Sequence, residues 1–364
     1  MAASGSSKVV IVALGANALI AAAKFSAAAW TGSAAMLSEA IHSLADTANQ
    51  GLLLHGARRS ARAADARHPF GYAKELYFWA FVVAVLLFSL GSGVAIYEGV
   101  HKLRAPEPVV DPWVNYAVLG FAFVCELAST IVAVREFNRQ RGDKDAVRAL
   151  RGSKDPALYT VLLEDIAAVA GLLVAFAGLA AAHLLGWSHG DALASIVIGL
   201  ILGLVAAFMA IETKGLLIGE AASAGVVAGI ESIIRQQIGP NGRIERLHHL
   251  KTMHLGPNAV LVAASLDFRD DQSAGELQQT IAQLDARIRK RFPQVQHLYL
   301  EAQPAADAAD SVARVDANIH ATTAPPSSPP SSLLAPPLAR ATTVATAKGN
   351  YPPTRSTKGK KRRR

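Results

Sequence analysis

The sequence predicts an α-helical membrane protein in which six transmembrane helices precede a small α+β cytoplasmic domain. Hydrophobic residues make up 51% of the 364 residues and charged residues only 18%, which is too apolar for a typical soluble protein of this length. The apolar residues are concentrated in six blocks of roughly 20 residues, the length that spans a bilayer core. After the sixth block the pattern changes to short strands and amphipathic helices.

The membrane domain is expected over residues 1–212, and its loops set the orientation. The predicted spans lie at about 9–29, 34–54, 76–96, 114–134, 158–185 and 192–211. The loop between the second and third spans and the loop between the fourth and fifth are rich in Arg and Lys, whereas the opposite loops carry only Lys102 and Arg104. Because positively charged loops stay in the cytoplasm, both termini are expected on the cytoplasmic side or its topological equivalent.

The rest of the chain divides into a domain at 213–303 and a tail at 304–364. The domain's predicted elements are helices at 222–238 and from the Ser273–Glu276 capping box to Arg291, and strands at 243–255, 259–268 and 295–301. A domain of this size buries a modest core, which favours a homodimer. The tail is rich in Ala, Pro, Ser and Thr and ends in a basic cluster, a composition that predicts disorder.

The second span contains ionisable residues where a membrane helix is normally apolar: Glu39, His42 and Asp46, followed by Asn49. His42 and Asp46 are separated by four residues and so lie one turn apart on the same helix face. Ionisable groups at membrane depth normally face a bundle interior or a wet cavity. Because neutral imidazole and carboxylate both bind borderline divalent ions, this face predicts half of a metal site. The alternative is a polar stripe that only holds helices together.

The fifth span contributes two adjacent carboxylates, Glu164 and Asp165. Both could not remain ionised and unpaired in hydrocarbon, so a bound cation or a proton is expected to relieve their repulsion. The alternatives are a wet vestibule or pairing with Lys154 or Arg151. The predicted metal ligands are His42, Asp46 and Asp165, with Glu164, water or Asn49 as the fourth.

Other features narrow the functional classes. Cys125 is the single cysteine, which excludes an intrachain disulfide and a cysteine-based zinc cluster. The net charge of +8 is concentrated in the loops and the tail, so it indicates membrane topology, and no nucleic-acid partner is expected. No cleavable signal peptide is evident, because no polar mature sequence follows the first apolar run.

These motifs together resemble those of the cation diffusion facilitator family of metal–proton antiporters. Segment 33–46, which ends in Ser-Glu-Ala-Ile-His-Ser-Leu-Ala-Asp, resembles the second helix of that family. Segment 65–75 resembles its second loop, and His248-His249-Leu-Lys-Thr resembles the first strand of its cytoplasmic domain. The fifth span, with Leu163-Glu164-Asp165, is most similar to the branch of mitochondrial zinc transporters and their bacterial relatives. The resemblance covers about residues 8–303 and implies six spans followed by a metallochaperone-like α+β domain.

The resemblance implies a role for each matching position. His42, Asp46 and Asp165 match three ligands of the family's transport site, whereas the fourth ligand position falls on Val161. Glu164 lies near the same helix face as Val161 and is the expected substitute. A site with one imidazole and several carboxylates is harder than a site with two histidines, so Mn²⁺, Fe²⁺ and Co²⁺ join Zn²⁺ as candidate ions.

Two further metal sites follow from the same resemblance. Asp65 and His68 match two ligands of a second site, but its third histidine falls on Tyr72, so this site is expected to be weak or absent. His248 matches a ligand position in the cytoplasmic domain of some family members, which makes it a candidate for a regulatory site.

The implied function is export of zinc or a related ion from the cytoplasm in exchange for protons, by alternating access. The expected partners are the metal ion, protons, the lipid bilayer and a second copy of the chain. The expected location is a bacterial inner membrane, with the mitochondrial inner membrane as the alternative. No prosthetic group and no enzyme activity are expected. Two rival functions remain: an intramembrane metalloenzyme with Glu39 or Glu164 as general base, and a non-transporting metal sensor or scaffold.

Overall fold

The computed structural model describes residues 2–31, 34–105, 112–142, 145–187, 189–240 and 242–304. These residues form a bundle of long helices followed by an α+β domain with a three-stranded sheet. The predicted fold class is therefore confirmed. The tail that the sequence predicts to be disordered lies, from residue 305 onward, outside the described residues.

The membrane bundle contains eight helical segments in chain order. Their bounds are α1 Ala2–Thr31, α2 Ala34–Ser60, α3 Glu75–Leu86, α4 Val94–Arg104, α5 Pro112–Arg141, α6 Ala146–Arg151, α7 Pro156–Leu184 and α8 Gly190–Ile218. A π-helical segment, Leu87–Gly93, joins α3 to α4, so that one continuous span of 30 residues runs over Glu75–Arg104. The short α6 lies in the basic loop before α7, where the sequence predicts no regular structure.

Five spans are long and apolar enough to cross a membrane by length and composition, as judged over the described residues. They are Ser7–Ala27, Glu75–Arg104, Trp113–Arg141, Pro156–Leu184 and Gly190–Ile218. The remaining predicted span, α2, has the necessary length of 27 residues but a more polar composition, because it carries the candidate site residues. It packs against α1 and α3 within the same bundle, where neighbouring helices can shield those polar groups.

Close helix packing around α8 depends on small residues. A Cβ atom added at Gly199 would lie 2.6 Å from Ile96 Cγ1 and 3.0 Å from the Ser92 carbonyl oxygen. A Cβ added at Gly178 would lie 2.8 Å from the Gly190 carbonyl oxygen. Within a bilayer the hydrophobic effect does not drive helices together, because lipid tails are as apolar as the helix surfaces. Close backbone approach of this kind is therefore a main source of packing energy. These close approaches pack both α4 and α7 against α8, and α7 carries the adjacent carboxylates.

The α+β domain follows the order predicted from the sequence. Its elements are α9 Ala224–Arg235, β1 Ile244–Gly256, β2 Ala259–Phe268, α10 Ala274–Arg291 and β3 Val295–Ala302. Strands β1 and β2 pair antiparallel, and β2 and β3 pair parallel through the α10 crossover. The predicted capping box is confirmed, because Ser273 and Glu276 bond each other's backbone N–H groups. Buried aliphatic side chains from both helices and the sheet, including Ile234, Leu266 and Ile288, form its core.

The end of α8 connects the bundle to the α+β domain. Helix α8 ends at Ile218 and is capped by Gly219, whose φ of +120° is a left-handed conformation that favours glycine. The next residue, Glu220, forms an ion pair with Lys154, which precedes α7. The carbonyl oxygen of Glu220 accepts a hydrogen bond of 2.8 Å from the backbone N–H of His254 in β1. One residue therefore contacts both the loop before α7 and the first strand.

Candidate metal site

Helix α7 directs its two adjacent carboxylates toward different neighbours. Successive residues of a helix point about 100° apart, so Glu164 faces α2 whereas Asp165 faces α5. Both side chains are buried. Glu164 Oε2 accepts a hydrogen bond of 2.7 Å from Gln50 Nε2, and its Oε1 accepts one of 3.4 Å from Asn49 Nδ2. Asp165 Oδ2 accepts a hydrogen bond of 2.7 Å from Ser129 Oγ.

Helix α2 contributes a third carboxylate, Asp46, which is half-buried. It lies four residues before Gln50 and therefore on the same helix face. Its charge acts on Glu164 and also on Glu126 of α5. The structure thus brings the predicted residues Asp46, Glu164 and Asp165 into one electrostatically coupled group inside the bundle.

The family-type site also includes the positions of His42 and Val161. His42 lies in α2 one turn before Asp46, but its side chain is outside the described part of the structure, so its role as a ligand stays a prediction. Val161 is fully buried within the apolar core of the bundle. The position one turn before Asp165 is therefore filled by a side chain that cannot bind a metal ion.

Glu126 and Lys24 are buried in the bundle and were not among the predicted site residues. The Glu126 carboxyl interacts electrostatically with Asp165 and Asp46, and Lys24 of α1 is the cation that acts on it. Each is a single charged residue in a long apolar block, a weaker signal than the adjacent acids of α7. The spacing of Glu126 and Ser129, three residues apart on one face of α5, is the sequence signal that finds this group.

The described side chains contain no group of three or more His, Cys, Asp and Glu residues arranged closely enough to hold a metal ion. The His42 side chain is not among them. The hydrogen bonds from Ser129 and Gln50 direct Asp165 and Glu164 toward separate helices.

One alternative from the sequence is that Glu164 and Asp165 pair with Lys154 or Arg151 of the preceding loop. For Lys154 this alternative is wrong. Lys154 pairs with Glu220 at the end of α8, and Tyr77 Oη donates a hydrogen bond of 3.4 Å to the Lys154 carbonyl oxygen. The other basic residue considered, Arg151, has a side chain outside the described set. Amide and hydroxyl groups from α2 and α5 are therefore the described hydrogen-bond donors to Glu164 and Asp165.

The loop carrying Asp65 and His68 is closed by hydrogen bonds. Asp65 Oδ1 accepts from the backbone N–H groups of Arg67 and His68, at 2.9 and 2.8 Å, and Oδ2 accepts from Tyr72 Oη at 2.6 Å. The hydrogen bond from Tyr72, together with those from the loop backbone, lowers the pKa of the Asp65 carboxyl, and the same bond raises the pKa of Tyr72. Because both carboxylate oxygens are occupied, Asp65 organises this turn.

His68 and His248 have structural contacts of their own. His68 Nδ1 lies 3.6 Å from Asp65 Oδ1 and its ring packs against Tyr72. In the α+β domain, His248 Nε2 lies 3.0 Å from the carbonyl oxygen of Gln303 and 4.0 Å from Asp267 Oδ2. The geometry at His248 fits an imidazole N–H bonded to a carbonyl, with one carboxylate nearby, and a metal role there stays a prediction.

Comparisons with known proteins agree with this architecture. A family model described as the cation efflux transmembrane domain matches residues 10–218. Three relatives illustrate the range of organisms and sequence identities among the similar proteins. The mitochondrial proton-coupled zinc antiporter SLC30A9 of Homo sapiens is 31% identical over 336 residues, covering 82% of this chain and 58% of that protein. Metal tolerance protein C4 of Arabidopsis thaliana is 36% identical over 267 residues, covering 72% and 57%. Cation-efflux pump FieF of Citrobacter koseri is 28% identical over 265 residues, covering 72% and 81%.

The coverage of these relatives is uneven. The chain spans a little over half the length of the two eukaryotic relatives and about four-fifths of the bacterial pump. The matched family model ends at residue 218, which is the last residue of α8. The family match therefore covers the helical bundle from residue 10 to the end of α8, including Asp46, Glu164 and Asp165.

Proposed function

The chain belongs to the cation efflux family, and from that premise we propose that it exports zinc across a membrane in exchange for protons. The observation that carries this proposal is a group of interacting carboxyls inside the bundle, formed by half-buried Asp46 and by buried Glu126, Glu164 and Asp165. Four carboxyl groups in a low-dielectric interior cannot all be ionised without a compensating cation. Protons or a divalent ion can supply that compensation in turn.

The exchange follows from ligand chemistry. A carboxylate binds a metal ion in its deprotonated form and an imidazole in its neutral form, so metal loading displaces protons and protonation weakens metal binding. In our proposal, Asp46 and Asp165 are ligands, His42 supplies the imidazole, and Glu164 is the fourth group. Alternating exposure of these residues to the two sides of the membrane would then couple metal movement in one direction to proton movement in the other.

Zinc is the proposed substrate because a relative is named as a zinc antiporter and because His and Asp side chains both bind zinc. A second candidate is a transporter of the same family that prefers Mn²⁺, Fe²⁺ or Co²⁺. The observation that favours it is the burial of Val161 in the apolar core, which leaves the site dominated by oxygen donors. Harder ions prefer such donors.

The rival functions have less support. The family match and the printed names of the relatives, which are antiporters and efflux pumps, favour a transporter over an intramembrane metalloenzyme. A pure sensor would place its metal ligands in the α+β domain, whereas the acidic group lies within the helical bundle. We therefore infer that the chain is a transporter and not an enzyme.

The membrane context of the proposal comes from charge and domain size. We propose that the basic loops and both termini face the cytoplasm or the compartment equivalent to it. A bacterial inner membrane is the proposed location, with the mitochondrial inner membrane as the alternative, since relatives include a bacterial pump and a mitochondrial antiporter. We also propose a homodimer, because the small α+β domain gains buried area by pairing.

Two measurements test the proposed function. The full chain should restore growth of a metal-sensitive host that lacks its efflux systems, and the ion that it protects against identifies the substrate. In proteoliposomes, addition of that ion should drive proton movement in the opposite direction. Metal movement that leaves the proton gradient unchanged would rule out antiport, and an absence of movement for Zn²⁺, Mn²⁺, Fe²⁺ and Co²⁺ would rule out the function itself.

A further inference from the structure

Gln50 combines two properties that the proposed function leaves unexplained. Its side chain is fully buried in the bundle, and its Nε2 donates the 2.7 Å hydrogen bond to Glu164 Oε2. Its Oε1 is also buried, and no hydrogen-bond donor reaches it among the described residues. Buried amide oxygens almost always have a partner, because an unsatisfied acceptor in a low-dielectric interior costs free energy.

The direction of the amide follows from its neighbour. A metal ion binds Glu164 in its ionised form, whose oxygens only accept hydrogen bonds, so in that form a turned-over amide would place Oε1 against Glu164 Oε2 with no proton between them. The hydrogen bond to Glu164 therefore fixes Nε2 on the side of α7. In that form, Oε1 is the amide atom that is left without a hydrogen-bond partner among the described residues.

The position of Gln50 indicates what could satisfy this oxygen. Asp46 precedes Gln50 by one turn on the same face of α2, and Glu164 is bonded to Gln50 from α7. The nearby titratable groups are thus carboxyls, which offer lone pairs when ionised. A cation bound among these acids would accept electron density from the amide oxygen and satisfy it.

We propose that Gln50 Oε1 is a ligand of the transported ion and that Gln50 sets the ion preference of the site. The proposal rests on the proposed function, since it concerns the same transported ion. An amide oxygen is a neutral, hard donor, so it favours Mn²⁺ and Zn²⁺ over the softer Cd²⁺.

One side chain thereby has two separable roles. Through Nε2, Gln50 orients the Glu164 carboxylate, as groups around metal ligands commonly do. Through Oε1, it contributes directly to ion selection. Asn49 shares the first role, because its Nδ2 donates to Glu164 Oε1 at 3.4 Å, and it provides a control for loss of Glu164 orientation alone.

The test compares transport of Mn²⁺, Zn²⁺ and Cd²⁺ by the full chain in proteoliposomes. Gln50→Met keeps a side chain of similar length but replaces the amide with a soft thioether. We expect it to lower the ratio of Mn²⁺ to Cd²⁺ transport by about tenfold, because loss of a group at a metal site commonly lowers metal affinity by about 10- to 100-fold. Gln50→Leu should lower the same ratio less, because it removes the hard ligand without adding a soft one. Asn49→Leu should slow all three ions by the same factor.

The outcomes separate the inference from the proposed function. A uniform loss for Gln50→Met, equal to that of Asn49→Leu, would show that Gln50 only orients Glu164 and would overturn the inference. An unchanged ion ratio would overturn it as well. If the wild-type chain moves none of the three ions, the proposed function fails. Ion-dependent shifts in the thermal unfolding of the purified full chain then still test whether Gln50→Met weakens Mn²⁺ binding relative to Cd²⁺.

Discussion

Ser129 of α5 donates a hydrogen bond of 2.7 Å to Asp165 of α7, and both residues are buried within the helical bundle. The bond links the carboxylate of a proposed metal ligand to a helix that the family-type motifs do not include. Three helices, α2, α5 and α7, therefore contribute to the site. The predictions below test the contribution of each helix and the packing that supports them.

Removal of the Ser129 hydroxyl tests the contact between α5 and α7. Ser129→Ala should raise the metal concentration needed for half-maximal transport about tenfold, because a group that orients a ligand is typically worth 10- to 100-fold in affinity. Ser89→Ala is the matched control, since Ser89 is exposed and bonds only the backbone of its own helix. Equal affinities of the two variants would show that the Ser129 bond has no part in metal binding.

Glu126 is expected to take part in transport although it lies outside the family motifs. Glu126→Gln removes a buried titratable carboxyl that interacts with Asp46 and Asp165, so we expect the variant to transport metal about tenfold more slowly at low metal concentration. Glu136→Gln, on the same helix, removes a carboxylate paired with Arg139 near the end of the span. That control should transport at the wild-type rate, because exposed ion pairs contribute little. Initial rates of zinc uptake into proteoliposomes measure both.

The packing of α4 against α8 gives a prediction on stability. Gly199→Ala places a methyl group 2.6 Å from Ile96 Cγ1, and overpacking of this kind typically costs about 1–3 kcal/mol. Gly120→Ala, in α5, is the control, because no atom lies within 4 Å of the added Cβ. Thermal unfolding of the purified variants in detergent should show a lower midpoint for Gly199→Ala alone. A lower midpoint for both would mean that the effect is not specific to this crossing.

His254 predicts a pH dependence of the α+β domain. Burial lowers the pKa of His254 from 6.5, with Lys154 acting in the same direction and the Gly256 carbonyl and Glu220 opposing it. Between 6.5 and the lower folded pKa, the unfolded chain binds more protons than the folded one. The buried neutral imidazole of His254 therefore stabilises the α+β domain fully above pH 6.5. This contribution is lost as the pH falls from 6.5 through the lower folded pKa.

Hydrogen exchange of the full chain checks this dependence. Amides of β1 should exchange faster at pH 5.5 than at pH 7.5 after correction for intrinsic rates, and His254→Asn should reduce that difference. His101→Asn, at an exposed position at the end of α4, should leave it unchanged. If β1 protection in the wild-type chain is the same at both pH values, the buried imidazole does not control the stability of this strand.

The sequence predicts the architecture well because hydrophobic block length and strand patterning are local properties. The strand bounds of β1 and β2, the turn between them and the Ser273 capping box all depend on neighbouring residues. The extension of the third span through the π-helical segment Leu87–Gly93 and the short helix α6 depend on packing and are not predicted. Local patterns also place Asp46, Glu164 and Asp165 on helix faces, but they do not show which helix each face meets.

The partners of the site residues could not be predicted because they come from distant parts of the chain. Gln50 and Glu164 are 114 residues apart in sequence, and Ser129 and Asp165 are 36 apart. Pairing of Glu164 with Lys154 is plausible from sequence proximity, yet Lys154 contacts Glu220 because the end of α8 returns to the start of α7. Tyr72, where the resemblance implies a third histidine, donates a hydrogen bond to Asp65 and packs against the His68 ring.

The central claim is that carboxylates inside the helical bundle exchange a divalent ion for protons. The most direct test is zinc-driven proton movement in proteoliposomes containing the wild-type chain or Asp46→Ala, with folding of the variant verified by its thermal unfolding midpoint. Our account predicts that the folded variant shows no more proton movement than empty liposomes. Proton movement at the wild-type rate would contradict it.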